Sequence, residues 1–257
     1  MMLDAGAYLQ IKLITVPFFI LIVSLLVRKC GPTIGGVIVG LPLTSAPVIV
    51  FLALEQGNNF ASGAAQGIMM GLVSVTIFCL VYSWSASSRS WSVCMVVSSI
   101  SYFAVTALLS FLAAPLIVSF VAVEIIIIGI SRLFPSGARS TPRKSFRWEI
   151  PARMIAATAL VVLITEIAPM LGPHLSGLLT PFPIYATVLG VFIHKFDGSK
   201  ACVLFLRGVV TGCFTSAFFF FLIASFIVQF GLLQSITMAL LGGTITHATL
   251  LYLVSRK

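Results

Sequence analysis

The sequence predicts an all-α, polytopic membrane protein, and three observations lead to this fold class. Sixty per cent of the 257 residues are apolar and 8% are charged, whereas a soluble domain carries about 25% charged residues. The mean hydropathy is +1.17. The apolar runs continue for about 20 residues, the length that a helix needs to cross the hydrocarbon core, without the alternation of a transmembrane barrel. A soluble enzyme domain and a disordered chain are therefore excluded.

The apolar runs predict nine membrane spans. At about 20 residues per span, they lie at 9–27, 34–54, 61–83, 91–112, 115–133, 152–170, 174–193, 202–226 and 232–254. The stretch 91–133 must turn, because as one helix it would measure roughly 65 Å, twice the hydrocarbon thickness. Ala113-Ala114-Pro115 is the predicted turn.

The basic residues predict how these spans are oriented. In a nine-span arrangement, all but one of the 15 Lys and Arg residues lie on the same side of the membrane, and Lys12 is the exception. The positive-inside rule then places the N-terminus outside and the C-terminus in the cytoplasm of a bacterial-type inner membrane. The net charge of +9 is thus a topology signal, and we expect no nucleic-acid partner. The basic loop 134–150 is predicted to be a cytoplasmic linker, either solvated or in contact with anionic lipid headgroups.

The chain contains an internal repeat, in which the segment that starts at Gly31 aligns with the segment that starts at Gly172. Seven glycine or proline pairs coincide without a gap between these segments: Gly31/Gly172, Pro32/Pro173, Gly36/Gly177, Pro42/Pro183, Gly57/Gly198, Gly67/Gly208 and Gly71/Gly212. Self-similarity of this kind defines the architecture of a chain. It predicts a first repeat of five spans over 1–133 and a second of about four spans over 151–257.

The second copy is predicted to be inverted. Five spans separate corresponding elements, and because five is odd the second copy enters the membrane from the opposite side. Inverted-topology repeats are a common plan of secondary transporters. In architecture alone, the plan resembles the inverted five-span-repeat carriers of the bile-acid symporter and cation/proton antiporter groups, and no sequence motif of those groups is present.

Spans 2 and 7 are predicted to be discontinuous. Gly40-Leu41-Pro42 interrupts one and Thr180-Pro181-Phe182-Pro183 the other, because proline removes a backbone donor and clashes with the preceding turn. Freed backbone groups must face protein or a wet cavity, and paired breaks of this kind indicate a transport site near the midplane. The predicted substrate-binding residues are Gly40, Pro42, Thr44, Ser45, Thr180, Pro183 and Tyr185. The alternative for each polar side chain is that it only satisfies backbone groups that proline has freed.

The third span of each repeat carries small residues at helical spacing. Gly63, Gly67 and Gly71 form one stripe, and Gly208 and Gly212 form the other. Such stripes allow helices to approach closely in lipid, and we expect each to pack against the broken helix of its own repeat. Gln66 and Arg207 lie beside the stripes at equivalent positions. They are secondary site candidates, although Arg207 is expected to extend to the cytoplasmic surface.

A few ionisable residues lie inside the predicted spans. Glu124 is in the middle of span 5, where a carboxylate is costly, and His247 is in span 9. Both are candidates for proton coupling, with helix–helix hydrogen bonds as the alternative. Glu166, nearer the outer end of span 6, is a secondary candidate.

Motifs of catalysis are missing from the sequence. It contains no HExxH, GxSxG or Walker motif, and its five cysteines lack metal or redox spacing. We therefore expect no enzyme activity, no cofactor and no metal. The expected partners are membrane lipids and a small-molecule or ion substrate, with a homo-oligomer left open.

Three functions fit this plan. The leading hypothesis is a secondary transporter that works by alternating access. A lipid or lipid-linked-carrier flippase is the first alternative, and a non-transporting scaffold or accessory subunit is the second. Under the leading hypothesis, Pro42→Ala, Pro183→Ala or a bulky residue at Gly40 abolishes transport while membrane insertion survives.

Overall fold

The fold is all-helical. The computed structural model describes residues 5–42, 45–112, 114–135, 148–167 and 182–255, and no strand occurs in these ranges. Helices account for 88% of the structure. They are α1 (Ala5–Cys30), α2 (Pro32–Gly40), α3 (Ser45–Gln56), α4 (Asn58–Ser85), α5 (Trp91–Leu109), α6 (Leu116–Arg132), α7 (Glu149–Ile167), α8 (Ile184–Asp197), α9 (Ser199–Phe230) and α10 (Leu232–Ser255).

Three of these helices are long and apolar enough to cross a membrane, namely α4, α5 and α9. The outer faces of α5 and α6 expose large apolar side chains, such as Ile100 (64% exposed) and Ile117 (68%). A contiguous apolar surface of this kind indicates contact with lipid or with another protein. The all-α class is confirmed, and the fold is compatible with a membrane protein.

Two long helices form the centre of the bundle. α9 packs against α4, α2 and α10, and α4 also packs against α3, α5 and α6. α1 and α7 pair with each other at the side, where α2 contacts α1 and α8 contacts α7. The short helices α2 and α8 therefore lie between the α1–α7 pair and the central helices.

Close approach of α2 and α9 depends on four glycines, which we call the glycine seam: Gly36 and Gly40 on α2, and Gly208 and Gly212 on α9. A Cβ atom at Gly36 would overlap the carbonyl oxygen of Phe205, and one at Gly40 that of Val209. On α9, Cβ atoms at Gly208 and Gly212 would overlap carbonyl oxygens of α2. Because each side of the seam meets backbone rather than a movable side chain, only glycine fits.

The glycine seam corrects one prediction. We expected Gly208 and Gly212 to pack against the broken helix of their own repeat, but they contact α2, which belongs to the other half of the chain. The sequence stripe identifies a surface of close approach without identifying which helix occupies it. The stripe on α4 behaves differently, since a Cβ at Gly63 or Gly67 would meet no atom within 4 Å.

Four single glycines, Gly31, Gly57, Gly198 and Gly231, join consecutive helices with positive φ, and two of them occupy corresponding positions of the sequence repeat. Gly57 joins α3 to α4 with φ 85° and ψ 168°, and Gly198 joins α8 to α9 with φ 90° and ψ 170°. Positive φ at little steric cost is a property of glycine. The two joints are aligned with each other in the sequence repeat, and the helices on both sides end and begin at matching positions, Gln56 with Asp197 and Asn58 with Ser199.

Candidate functional site

The two predicted breaks meet at one cavity, which we call the central cavity. Its volume is about 80 Å³. The first break lines it with Gly40, Leu41, Pro42 and Ser45, and the second with Phe182, Pro183, Ile184 and Tyr185. Five of the seven predicted substrate-binding residues are thus brought together. The other two, Thr44 and Thr180, lie outside the described residues.

The first break separates α2 from α3. Leu41 leaves the helix with extended backbone (φ −68°, ψ 158°), and its N–H donates to the carbonyl of Val37 at 3.1 Å. Pro42 has no N–H to continue the helix, but its carbonyl accepts the N–H of Ala46 at 2.8 Å and so belongs to the first turn of α3. The chain becomes helical again at Ser45, where α3 begins.

The second predicted break covers Thr180–Pro183, of which the structure describes Phe182 and Pro183, directly before α8. Pro183 is buried, and its carbonyl accepts both the N–H and the Oγ1 hydroxyl of Thr187, each at 2.8 Å. Phe182 packs its ring against those of Tyr102 (centroids 5.3 Å apart) and Phe103 (5.7 Å, stacked). Proline starts the helix and the aromatic contacts hold the preceding residue, so this wall of the cavity is tied to α5.

Helix α9 supplies the third wall, with Ser216 as its polar contact. The Ser216 hydroxyl donates to the carbonyl of Gly40 at 2.6 Å, and the Ser216 side chain is 1% exposed. This bond satisfies a carbonyl that the end of α2 leaves without a helical partner. The sequence analysis missed Ser216. Its position was available from the pattern, because it follows Gly208 and Gly212 at the same spacing of four residues.

Glu124, the ionisable candidate whose side chain the structure describes, does not line the central cavity. Glu124 is half-buried on α6, and its Oε2 atom is buried without a hydrogen-bond partner among the described residues. It lies close enough to the Cys213 thiol, which does line the cavity, for the two groups to interact electrostatically. Glu166 in α7 and His247 in α10 have side chains outside the described part of the chain.

The two secondary candidates beside the glycine stripes lie away from the cavity. Gln66 donates from Nε2 to the carbonyl of Ala114 at 2.8 Å and to the Ser119 hydroxyl at 3.2 Å. It therefore ties α4 to the connection between α5 and α6. Arg207 is exposed on α9, as expected for a side chain that extends to the surface.

Arg153 has an environment that charge counting did not reveal. The topology argument treats it as a cation at the cytoplasmic face, but it is 1% exposed at the contact between α7 and α8. Its Nη2 lies 3.9 Å from Oδ2 of Asp197, and its guanidinium lies 5.8 Å from the ring centroid of Phe192. Buried charges need such partners, so Arg153 holds α8 in place.

The described residues contain no group of three or more His, Cys, Asp or Glu side chains that could hold a metal ion. Four of the cysteines, Cys79, Cys94, Cys202 and Cys213, are free and buried, as expected for packing residues. In comparisons with known proteins, no family model, no curated protein and no solved structure matches the chain. The candidate site therefore has to be interpreted from its own residues.

Proposed function

We propose that the chain is an integral membrane secondary transporter that moves a small solute by alternating access, and not an enzyme. The binding site is the central cavity. The observation that carries this proposal is that one cavity is lined by both helix breaks, Gly40–Pro42 and Phe182–Tyr185. Broken helices whose ends meet inside a membrane bundle are the usual construction of transporter sites.

The proposed topology has nine spans, with the N-terminus outside and the C-terminus in the cytoplasm of a bacterial-type inner membrane. The spans form an inverted repeat of five plus four, in which α2–α3 and the span that ends in α8 are the discontinuous pair. Support comes from Gly57 and Gly198, which are aligned with each other in the sequence repeat and join helices that end and begin at matching positions. Membrane lipids and the solute are the proposed partners.

Alternating access is tested by labelling the cavity from each side of the membrane. Ser45→Cys and Tyr185→Cys are made in a chain whose five native cysteines are replaced by alanine. Each variant is treated with a membrane-impermeant thiol reagent from either face of oriented vesicles. We expect labelling from both faces. Pro42→Ala and Pro183→Ala occupy corresponding positions in the two halves, so we expect them to shift the outward and inward labelling rates in opposite directions.

The same experiment separates the alternatives. An open channel predicts that both rates change in parallel in each proline variant, and a non-transporting scaffold predicts labelling from neither face. A flippase predicts labelling by a lipid-soluble reagent only. Ser98→Cys is the matched control, because Ser98 is fully buried in α5 and bonds to its own helix at Cys94; it should resist both reagents.

A further inference from the structure

The described walls of the central cavity carry no fixed charge. None of its described lining residues is Asp, Glu, Lys, Arg or His. The sequence around both breaks, 39–54 and 175–193, also contains none of these residue types. An ion in such a site would lose its hydration without a counter-charge to compensate.

The helix ends that reach the cavity do not all carry partial charge of the same sign. The carboxyl end of α2 reaches the cavity at Gly40, and the amino ends of α3 and α8 reach it at Ser45 and Ile184, so that ends of both kinds are present. These ends carry partial charges of opposite sign. A solute there meets a partly negative end and a partly positive end together, which favours a dipolar molecule over a cation or an anion.

The polar groups of the cavity can both donate and accept hydrogen bonds. Ser45, Tyr185 and Ser216 contribute hydroxyl-bearing side chains to the lining, and each hydroxyl is one donor and two acceptor lone pairs. The Ser216 hydroxyl donates its hydrogen bond to the carbonyl of Gly40 at 2.6 Å. Its oxygen therefore keeps the capacity to accept from a solute, while the other two hydroxyls can donate.

The volume sets an upper limit on the solute. The cavity measures about 80 Å³, and in a cavity volume of this kind one water molecule needs about 10–15 Å³. Roughly five to eight water molecules, or a solute of about as many non-hydrogen atoms, fit such a space. Sites for drug-sized ligands measure about 300–1,000 Å³, so a large substrate is excluded from the cavity in this conformation.

We infer that the central cavity selects a small uncharged solute with both donor and acceptor groups, such as a short amide or urea, and that Ser216 accepts a hydrogen bond from it. The inference rests on the proposed transport function and adds the substrate class and a specificity-determining residue. Ser216 then has two roles at once: it holds the end of α2 and contacts the solute.

Three planar solutes of equal size test the charge preference. Urea is neutral, guanidinium is a cation and nitrate is an anion, and each has four non-hydrogen atoms. Flux of each into liposomes that contain the purified full-length chain is compared with flux into empty liposomes, with the membrane potential clamped by potassium and valinomycin. We expect the protein to raise urea flux well above the empty-liposome rate, and to leave guanidinium and nitrate at that rate.

Ser216→Ala tests the residue. Loss of one hydrogen bond in a buried site corresponds to about a tenfold change in affinity, so we expect KM for urea to rise about tenfold. Ser225→Ala is the matched control on the same helix, because Ser225 donates within its own helix to the carbonyl of Phe221 at 2.8 Å; KM should be unchanged. Monodisperse elution of both variants from size-exclusion chromatography establishes that they are folded.

Each contrary result has a distinct meaning. Guanidinium or nitrate moving faster than urea overturns the uncharged-solute inference and leaves transport standing. If the protein raises the flux of none of the three solutes, the uncharged-solute inference is overturned as well. Labelling of Ser45→Cys from both faces would then still support a transporter for another substrate. A folded Ser216→Ala variant with wild-type KM removes Ser216 from the site.

Discussion

Replacing Gly212 by alanine tests the glycine seam directly. The new Cβ would overlap the carbonyl oxygen of Val37 and crowd the backbone of Gly40. Overpacking costs about 1–3 kcal/mol, and the upper end applies here because backbone atoms cannot rotate away. Alanine recovers about 0.5–1 kcal/mol of helix propensity. The expected net loss is about 2 kcal/mol, or roughly a 30-fold fall in the ratio of folded to unfolded protein.

Gly129→Ala is the control for this substitution. Gly129 lies on α6, where a Cβ would meet nothing within 4 Å, so the same change should stabilise the protein by about 0.5–1 kcal/mol. The assay is unfolding of the purified protein in detergent, followed by tryptophan fluorescence. The two variants should move the transition in opposite directions. A Gly212→Ala protein that is as stable as the wild type would refute the argument that backbone contact sets the distance between α2 and α9.

Four further predictions concern charged, polar and small residues. Arg153→Met should destabilise the fold by about 1–2 kcal/mol, because it removes the ion pair of the buried guanidinium with the partly exposed Asp197 and its contact with the Phe192 ring; wild-type stability of the variant in the same unfolding assay would contradict this. Gln66→Leu should cost about 0.5–1.5 kcal/mol in the same unfolding assay, because it removes the bond to the Ala114 carbonyl and leaves that carbonyl only the longer bond from the Ser119 hydroxyl at 3.4 Å; an unchanged stability would contradict the role given to Gln66. Glu124→Gln should abolish any dependence of solute flux on a pH gradient while leaving downhill flux intact, and an unchanged pH dependence would remove Glu124 from the coupling machinery. A Cβ at Gly67 meets no atom within 4 Å, whereas one at Gly208 overlaps the carbonyl oxygen of Thr33; Gly67→Leu should therefore be tolerated while Gly208→Leu costs about 1–3 kcal/mol in the same unfolding assay, and equal losses would contradict the packing described for the two stripes.

The positions of the breaks could be predicted because their cause is local. Pro42 and Pro183 lack the donor that a continuous helix requires, and nothing in the surroundings can restore it. Their meeting at one cavity agrees with the expectation of a shared site near the midplane. The repeat paired Gly57 with Gly198, but neither a helix joint nor positive φ was predicted at either position.

The packing partners could not be predicted, because they depend on contacts between distant segments. An alignment of the two halves shows which positions correspond, but not which helices are in contact. The partner of Gly208 and Gly212 was therefore assigned to the wrong half. This error also changes the expectation for Gly40: a bulky residue there would push α2 from α9, so it tests folding as well as transport. Arg153 illustrates the same limit, since counting charges by topology carries no information on burial.

Each single-glycine joint connects two helices without a loop to absorb motion. α3 has 12 residues, which at 1.5 Å per residue is a lever about 18 Å long with Gly57 at its pivot. A rotation of about 10° at that one residue would displace Ser45, at the other end of α3, by about 3 Å, which is about the width of a water molecule. The central cavity could therefore gain or lose one layer of water through a change in one pair of backbone angles, while the glycine seam keeps α2 fixed against α9.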